Sequence, residues 1–275
     1  MIYQGVTIPP LRSSHIQAIL RSPQHYLEEL KSGKDSPALK IGRLFHYLLL
    51  ECNNEQREAE LSKYWRKPPE IDFRTTAGKE WRSSKNPDFQ VETATEWESL
   101  QNIRGMINSV RQDPSIATLL DHPYSRKEFP LAWHDKEFDI SCTGKADLLY
   151  LEPLEEGEGC EIVDFKTTDD ARLDAMIRSV KKYGYHCQAA MYCDAAKAMF
   201  NLEVEPRYFI VAIEKQPPYA FKKYPLSAMS IAMGRDIYKR AATIYAHCVS
   251  CNEWPAYTDE LIEIELGGSY ESFTK

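Results

Sequence analysis

An aspartate and a lysine close a short apolar segment, Cys160–Thr168, whose sequence is CEIVDFKTT. The pattern predicts a buried strand, and residues two apart on a strand share a face. Asp164 and Lys166 are therefore expected to point the same way from the end of an otherwise apolar element. Such a pair is either a surface ion pair or part of a site that binds a cation or a phosphate.

A second carboxylate is expected to face this pair. The run 138–151 predicts a longer strand, and residues 152–159, rich in Glu, Gly and Pro, predict the loop of an antiparallel hairpin. A symmetric register would place Asp147 directly opposite Asp164, with both side chains on one face. Facing carboxylates repel each other. The pair therefore predicts a bound cation, and oxygen ligands suit a hard divalent ion such as Mg²⁺.

Two helices carry further residues that could serve this site. An apolar helix is predicted to begin at Ser36, with Gly42 and His46 four apart on one face. We expect Gly42 to permit close approach of another backbone. His46 is either a hydrogen-bonded core histidine or, if this helix packs beside the charged end of the hairpin, a metal ligand. Gln188 and Tyr192 share a face of a later, Ala-rich helix, where they either pack or serve the site.

Basic and hydroxyl side chains surround the start of another predicted helix. Thr75 or Thr76 is expected to cap it, with Arg74 before the cap and Lys79 in the first turn. The unpaired N–H groups of a helix N-terminus bind phosphate readily. The stretch is therefore either an ordinary threonine cap or a phosphate contact.

Composition limits the class of protein. The chain has 275 residues, is 43% hydrophobic and has a net charge of −7. We expect no membrane partner and a cytoplasmic location, because no apolar run of membrane length and no signal-peptide pattern is seen. Seven scattered cysteines fit a reducing compartment. The acidic charge argues against a protein that coats DNA, but an enzyme with a locally positive groove remains compatible with it.

The order of elements predicts one α/β domain with a central mixed sheet and helices on both faces. It comprises a helical part (about 1–125), a sheet-containing core (about 126–226) and a C-terminal helix with a tail (227–275). Within the helical part, residues 51–60 predict a helix end and a loop, and Leu61–Trp65 a strand. The remaining strands are predicted at 128–133, 138–151, 160–166, 207–214 and 219–224.

Four motifs, in this order, resemble the PD-(D/E)XK nuclease superfamily and, within it, the RecB-like branch. They are Gly42-x-x-x-His46, Gly144-Lys-Ala-Asp147, Asp164-Phe-Lys166 and Gln188-x-x-x-Tyr192. The stretches DFRTTAGKEW, VDFKTTDD, YGYHCQAAMY and NEWPAY are similar to the nuclease domain of prophage exonuclease VIII (RecE). The resemblance covers roughly residues 13–257. It departs from the superfamily pattern at Ala146, where the pattern has proline.

The resemblance implies a restriction-endonuclease-like core and a metal-dependent deoxyribonuclease. Mg²⁺ or Mn²⁺ would be bound by His46, Asp147, Asp164 and the backbone carbonyl of Phe165. Lys166 would position and activate the attacking water. Orientation of this lysine or of the DNA backbone would fall to Gln188 and Tyr192, and an additional acid stands at Glu128. The candidate phosphate contacts are Arg74, Thr76, Lys79, Thr167 and Thr168.

The resemblance also implies a biological setting. The enzyme would be a 5′-to-3′ exonuclease on double-stranded DNA ends that leaves a 3′ single strand for a RecT-like annealing protein in phage-type recombination. Relatives form rings that enclose DNA, so a homo-oligomeric ring is expected. The gene would belong to a phage or prophage, and the protein would act in the cytoplasm of the bacterial host.

Three alternatives remain. Iron–sulfur nucleases of the same branch use four cysteines, whereas Cys248 and Cys251 form a lone C-x-x-C with no later cysteine. A catalytically silent DNA-end-binding protein would have no reason to keep Asp147, Asp164 and Lys166 together. A metal-dependent hydrolase of small phosphoesters would use the same residues.

Overall fold

The computed structural model describes residues 2–33, 36–91, 93–152, 159–257 and 263. The strands found there are β1 (Ile2–Tyr3), β2 (Val6–Thr7), β3 (Ser125–Asp135), β4 (Ile140–Leu151), β5 (Cys160–Thr168), β6 (Arg207–Glu214) and β7 (Phe221–Pro225). β1 and β2 form a small hairpin, and the other five form one sheet in the order β3-β4-β5-β6-β7. β5 and β6 pair in parallel and the remaining neighbours are antiparallel. The predicted central mixed sheet is therefore confirmed.

Helices cover both faces of this sheet. They are α1 (Ile16–Arg21), α2 (Pro23–Ser32), α3 (Pro37–Leu50), α4 (Asn54–Lys63), α5 (Thr76–Ser83), α6 (Ala94–Arg111), α7 (Pro114–Asp121), α8 (Leu173–Tyr183), α9 (Tyr185–Phe200) and α10 (Ala228–Cys251). Across the described ranges, none of them combines the length and the apolar character needed to cross a bilayer. Of the tail predicted after Trp254, only residues 255–257 and 263 are described.

Two apolar layers sandwich the sheet because successive strand residues point to opposite faces. Ile162 and Ile210 pack with α1, α2, α9 and α10 on one face, whereas Val163 and Val211 pack with α3, α6 and α7 on the other. The Ala-rich α9 allows α10 to approach closely. A Cβ atom at Gly234 of α10 would lie 2.0 Å from the backbone oxygen of His186. The sheet is thus clamped between two helical layers.

The hairpin has the predicted register. β4 and β5 pair from Leu151–Cys160 to Leu148–Val163, so the next pair along is Asp147 and Asp164. The tip of the loop, residues 153–158, lies outside the described residues. The register follows from a loop whose midpoint is also the midpoint between the two aspartates.

One part of the helical region differs from the prediction. Residues 54–63, expected to form a helix end, a loop and the start of a strand, form the helix α4, and Trp65 makes an isolated bridge to Gln90. A capping box starts α4: the Asn53 side chain accepts from the Gln56 backbone, and the Gln56 side chain accepts from the Asn53 backbone. The strand predicted at Leu61–Trp65 is therefore wrong.

Candidate functional site

Three potential metal ligands converge at the charged end of the β4–β5 hairpin. His46 lies on α3, Glu128 on β3 and Asp147 on β4, and one ligand atom from each lies within 4.8 Å of the others. Asp147 is buried, and the other two are half-buried. Carboxylate oxygens suit Mg²⁺ and Mn²⁺, and imidazole suits transition metals. The donors present therefore fit a divalent metal ion.

Packing of α3 against the hairpin brings His46 to this place. Its Nε2 atom lies 2.8 Å from the backbone oxygen of Phe165, and its Nδ1 atom lies 3.4 Å from Oδ1 of Asp147. The imidazole therefore contacts the Phe165 carbonyl with one ring nitrogen and faces the Asp147 carboxylate with the other. Because α3 packs beside the charged end of the hairpin, His46 is a candidate metal ligand.

The C-terminal end of α3 is tied to α4, whereas Gly42 makes no close contact with another described element. Buried Arg57 donates from Nε to the backbone oxygen of Leu48 at 2.6 Å and from Nη1 to Oδ1 of Asn54 at 2.7 Å. A cation at the carboxyl end of a helix is favourable because of the helix dipole. At Gly42, nothing in the described part of the chain lies within 4 Å of an added Cβ. The predicted close backbone approach at Gly42 is therefore wrong.

The two aspartates of the hairpin contact different helical layers. Asp147 contacts His46 of α3, whereas Asp164 accepts a hydrogen bond from Gln188 of α9. Oδ2 of Asp147 also accepts the backbone N–H of Phe165 at 2.8 Å, just beyond the last pair of the ladder. The two carboxylates therefore lie near each other, but they are held by separate sets of partners.

A change in the alternation of β4 explains this arrangement. Ala146 and Leu149 both pack in the layer formed by α9 and α10, although they are three residues apart, and Leu148 packs in the opposite layer. A regular strand would return to the same face after two residues. The alternation thus shifts by one at Asp147, so the expectation that Asp147 and Asp164 share one face does not hold.

Glu128 reaches the cluster from a strained backbone position. It lies opposite Asp147, between the pairs Lys127–Leu148 and Phe129–Ala146. Its φ angle is +49°, in the left-handed region that residues other than glycine seldom adopt. Observed strain of this kind is concentrated at functional sites. Of the two acids predicted beside Asp147, Glu128 joins its ligand cluster and Asp164 does not.

Sequence reasoning missed the partner of Glu128. The Lys145 ammonium group forms an ion pair with Oε2 of Glu128, although the Lys145 side chain is 60% exposed. Lys145 lies in the Gly-Lys-Ala-Asp motif, two residues before Asp147 on the same strand. The one signal in the sequence that could have identified Lys145 is its spacing of two from Asp147, since residues two apart on a strand share a face.

Lys166 is held on three sides at the end of β5. Its Nζ atom lies 2.8 Å from Oδ1 and 2.7 Å from Oδ2 of Asp164, and 3.4 Å from Oε1 of Gln188. The Gln188 amide also donates to Oδ1 of Asp164 at 2.8 Å. The ring of Tyr185, which sequence reasoning did not select, lies 4.9 Å from the ammonium group and supplies a cation–π contact. The structure thus places Gln188 where it orients Lys166.

Tyr192 holds the Gly-Lys-Ala-Asp segment against α9. Its hydroxyl oxygen accepts the backbone N–H of Lys145 at 3.3 Å. An added Cβ at Gly144 would lie 2.5 Å from Cε1 of the Tyr192 ring. Glycine is therefore required at position 144 by the buried tyrosine, and Tyr192 contacts the strand that carries Asp147 rather than solvent.

The charges of the cluster influence one another. Burial lowers the pKa of His46, but the Asp147 carboxylate outweighs burial and the net shift is upward. Burial raises the pKa of Asp147, but His46 and Lys166 outweigh it and the net shift is downward. Burial raises the pKa of Asp164 despite the neighbouring ammonium group. Burial lowers the pKa of Lys166, but the Asp164 and Asp147 carboxylates outweigh burial and the net shift is upward. The carboxylates therefore stabilise the protonated forms of His46 and Lys166, and a metal ion bound by His46 would displace the imidazole proton.

The predicted phosphate contacts lie in two places. Thr75 caps α5, as expected, and Arg74 pairs with Asp72 of its own loop. Thr76 and Lys79 are exposed on the first turn of α5. None of these side chains makes a described hydrogen bond or ion pair with the metal-ligand cluster.

The two threonines follow Lys166 on β5, next to the site. Thr167 is half-buried. The Thr168 hydroxyl exchanges hydrogen bonds with the backbone of Asp170 at 3.1 and 3.3 Å. Thr168 therefore shapes the turn after β5, whereas the Thr167 side chain makes no described hydrogen bond.

The cysteines do not form a cluster site. All seven lie in the described residues and are free, with Cys248 buried and Cys251 exposed. The single group of three potential metal ligands in this part of the chain contains no cysteine. The iron–sulfur alternative, which needs four cysteines around one cluster, therefore has no ligand set here.

Comparisons with known proteins agree with the fold. A crystal structure of a protein from Eubacterium rectale, described as a "putative exonuclease", superposes with a TM-score of 0.58 at 14% identity, over 94% of this chain and 90% of that one. The crystal structure of SSO0001 matches 52% of this chain and 64% of that one at 12% identity, with a TM-score of only 0.27. The first supports a restriction-endonuclease-like fold, and the second carries no argument. Among curated proteins nothing matches.

A family profile matches nearly the whole chain. Residues 12–264 match the family described as "PDDEXK-like domain of unknown function (DUF3799)". The match covers the helix of His46, the β4–β5 hairpin and the helix of Gln188, which are the elements that carry the four motifs. It confirms the resemblance to the PD-(D/E)XK nuclease superfamily, while the narrower resemblance to exonuclease VIII stays a prediction. The chain therefore belongs to the PDDEXK-like family DUF3799.

Proposed function

We propose that this protein is a divalent-metal-dependent exonuclease that degrades linear double-stranded DNA from its 5′ ends. One observation carries the proposal: the cluster of His46, Glu128 and Asp147 lies beside Lys166, whose ammonium group is fixed by Asp164. Family membership and the fold shared with the protein from Eubacterium rectale support hydrolysis of a phosphodiester.

The residues have separate roles in this proposal. His46, Glu128, Asp147 and the Phe165 carbonyl would hold the metal ion. When bound, the ion would supply Lewis-acid stabilisation of phosphate charge and lower the pKa of a bound water. Lys166 holds the attacking water by hydrogen bonding and offsets negative charge as it develops on the phosphoryl oxygens.

The remaining members of the site keep this lysine in position. Asp164 and Gln188 fix the direction of its ammonium group, since both contact it. Tyr192 keeps the strand of Asp147 seated on α9. Thr167 is the candidate phosphate contact next to the site.

The biological setting is proposed from the resemblance to the nuclease domain of exonuclease VIII. The product would be a 3′ single strand, and a RecT-like annealing protein would use it in phage-type recombination. A ring of identical subunits around the DNA, Mg²⁺ as the working ion and action in the cytoplasm of a bacterial host belong to the same proposal.

A digestion assay tests the proposal. Linear duplex DNA labelled at either the 5′ or the 3′ terminus is incubated with Mg²⁺, with Mn²⁺ or with EDTA, beside a closed circular duplex. Early release of the 5′ label, an intact circle and no cleavage in EDTA are expected. Cutting of the circle would retain the metal site but refute the exonuclease assignment.

Two variants test the residues. Asp164→Ala and Lys166→Ala should abolish cleavage, while Lys136→Gln, which removes the same charge as Lys166→Ala from an exposed position in the turn between β3 and β4, should not. Circular dichroism checks that each variant is folded. Cleavage that survives in both Asp164→Ala and Lys166→Ala would show that the site lies elsewhere.

A silent DNA-end-binding protein is distinguished by calorimetry. An active site of the proposed kind binds Mn²⁺ in the presence of duplex DNA, and this binding is lost in Asp147→Ala. Intact DNA binding with no Mn²⁺ uptake and no cleavage would favour the silent protein.

A further inference from the structure

A positively charged segment stands out in an acidic protein. Residues 63–85 contain seven Lys and Arg and three Asp and Glu, a net charge of +4, whereas the whole chain carries −7. The rest of the chain is therefore more acidic than the total suggests. Locally concentrated positive charge on an acidic protein attracts a polyanion to that place.

Aromatic rings lie in the middle of this charge. Phe73 and Trp81 are stacked, with ring centroids 6.3 Å apart and an interplanar angle of 25°, and Trp65 meets Trp81 edge-on at 5.5 Å. Phe73 and Trp81 are half-buried, whereas Trp65 is 7% exposed. Gly78 lets α5 lie against the Phe73 loop, because an added Cβ would be 2.0 Å from the backbone oxygen of Asp72. The two outer rings are thus held in a fixed orientation.

Cations lie across the faces of the outer rings. Lys67 and Arg82 are 5.4 and 5.1 Å from the Phe73 centroid, and Lys85 is 5.3 Å from that of Trp81. All three are exposed, and none forms an ion pair with a described residue. Long cationic side chains cover apolar rings when nothing else does. Arg82 and Lys85 can swing to a phosphate without giving up an acidic partner, whereas Lys67 also interacts electrostatically with Asp72, whose pKa it lowers.

We propose that the side chains Lys67, Phe73, Trp81, Arg82 and Lys85, here called the α5 platform, bind a single-stranded nucleic acid. Phosphates would take the three cations, and unpaired bases would stack on the ring faces that the cations leave. Rings combined with free cations are the features of sequence-tolerant single-strand sites. A duplex offers phosphates but no free base faces, so the platform prefers a single strand. Binding here needs no cleavage and no metal.

Fluorescence anisotropy in EDTA tests the platform on the full chain. The probe is labelled oligothymidylate of about 20 nucleotides, long enough for a site of this kind, with a duplex of equal length for comparison. Lys67→Gln with Arg82→Gln removes two platform charges. Lys136→Gln with Arg240→Gln removes the same charge from exposed positions in the turn between β3 and β4 and on α10, and serves as the control.

The platform pair should weaken oligothymidylate binding about tenfold and the control pair less than about twofold. The slope of log affinity against log salt should fall by about 1.4 in the platform pair, since each single-strand phosphate contact contributes about 0.7. Phe73→Leu keeps the charge and removes the ring, and should weaken binding at least about fivefold. A thermal melt confirms that each variant is folded.

Two results would overturn the inference. The first is an equal loss of oligothymidylate affinity in the platform and control pairs. The second is a duplex that binds as tightly as the single strand and whose affinity falls by the same factor in Phe73→Leu. The nuclease proposal is tested separately, because Asp164→Ala should lose cleavage and keep oligothymidylate binding. If wild type binds oligothymidylate at the platform but does not cleave DNA, only the nuclease proposal fails. If it cleaves DNA but the platform pair binds oligothymidylate as well as wild type does, only the platform proposal fails.

Discussion

Substitution of Gly144 by alanine tests how tightly α9 holds the strand of the metal-ligand cluster. The added methyl group would lie 2.5 Å from Cε1 and 3.1 Å from Cζ of Tyr192, whereas carbon atoms rest about 3.5–4.0 Å apart. The ring must therefore move by about 1 Å. It has little room to do so, because Tyr192 is only 6% exposed.

The expected cost follows from these contacts. Overpacking of a buried ring costs about 1–3 kcal/mol, and loss of the hydrogen bond from the Lys145 N–H to the Tyr192 hydroxyl adds about 1 kcal/mol. We expect Gly144→Ala to lower the free energy of unfolding by about 3 kcal/mol. For a chain of this size that corresponds to a fall in Tm of about 6–12 °C.

Thermal and urea unfolding followed by circular dichroism measure the change in a double-mutant cycle with Tyr192→Leu. The shorter side chain leaves room for the methyl group, so Gly144→Ala should cost less than about 1 kcal/mol in that background. Gly42→Ala is the matched control, since its Cβ would meet nothing within 4 Å among the described residues, and it should stabilise α3 by up to about 1 kcal/mol. Equal costs of Gly144→Ala in both backgrounds, within about 0.5 kcal/mol, would refute the tight contact.

Three further predictions concern individual side chains. Glu128→Gln should weaken Mn²⁺ binding by at least about tenfold in calorimetry, and an unchanged affinity would remove Glu128 from the ligand set. Tyr185→Leu should slow cleavage roughly tenfold while Tyr185→Phe, which keeps the ring over Lys166, should not; equal effects would exclude the cation–π contact. Asp113→Ala should lower the free energy of unfolding by about 1 kcal/mol, because Asp113 caps α7. The Ser115 hydroxyl and backbone N–H donors lower the pKa of Asp113 to about 2, so its contribution is complete above the unfolded value of about 3.9 and is lost as pH falls toward 2. In urea unfolding the difference between wild type and Asp113→Ala should therefore shrink between about pH 4 and pH 2, and a constant difference would contradict the depressed pKa.

The elements that could be predicted from the sequence are those determined by residues close together in the chain. The apolar run ending in Asp164 and Lys166 predicted β5, and the symmetric loop predicted the pairing of β4 with β5. The Ala-rich helix of Gln188 and Tyr192 was recognisable from its composition and spans Tyr185–Phe200. Each of these depends on residues close together in the chain.

The parts that escaped prediction depend on distant contacts or on backbone strain. The polar sequence of α4 hides a helix whose Arg57 side chain is buried against the end of α3. Its capping box, Asn53 with Gln56, was a readable signal. The positive φ of Glu128 and the shift in alternation at Asp147 had no such signal. They decide which carboxylates join the metal-ligand cluster.

The pairing of Lys145 with Glu128 links two binding events. A divalent ion that takes Glu128 as a ligand releases the Lys145 ammonium group, which already lies largely in solvent. The released charge is then available to a phosphate of the substrate. In the proposed nuclease, metal and nucleic acid would therefore bind cooperatively, each tightening the other by the same factor, as thermodynamic reciprocity requires. With metal bound, the protein would release about one more counterion from the nucleic acid than without it.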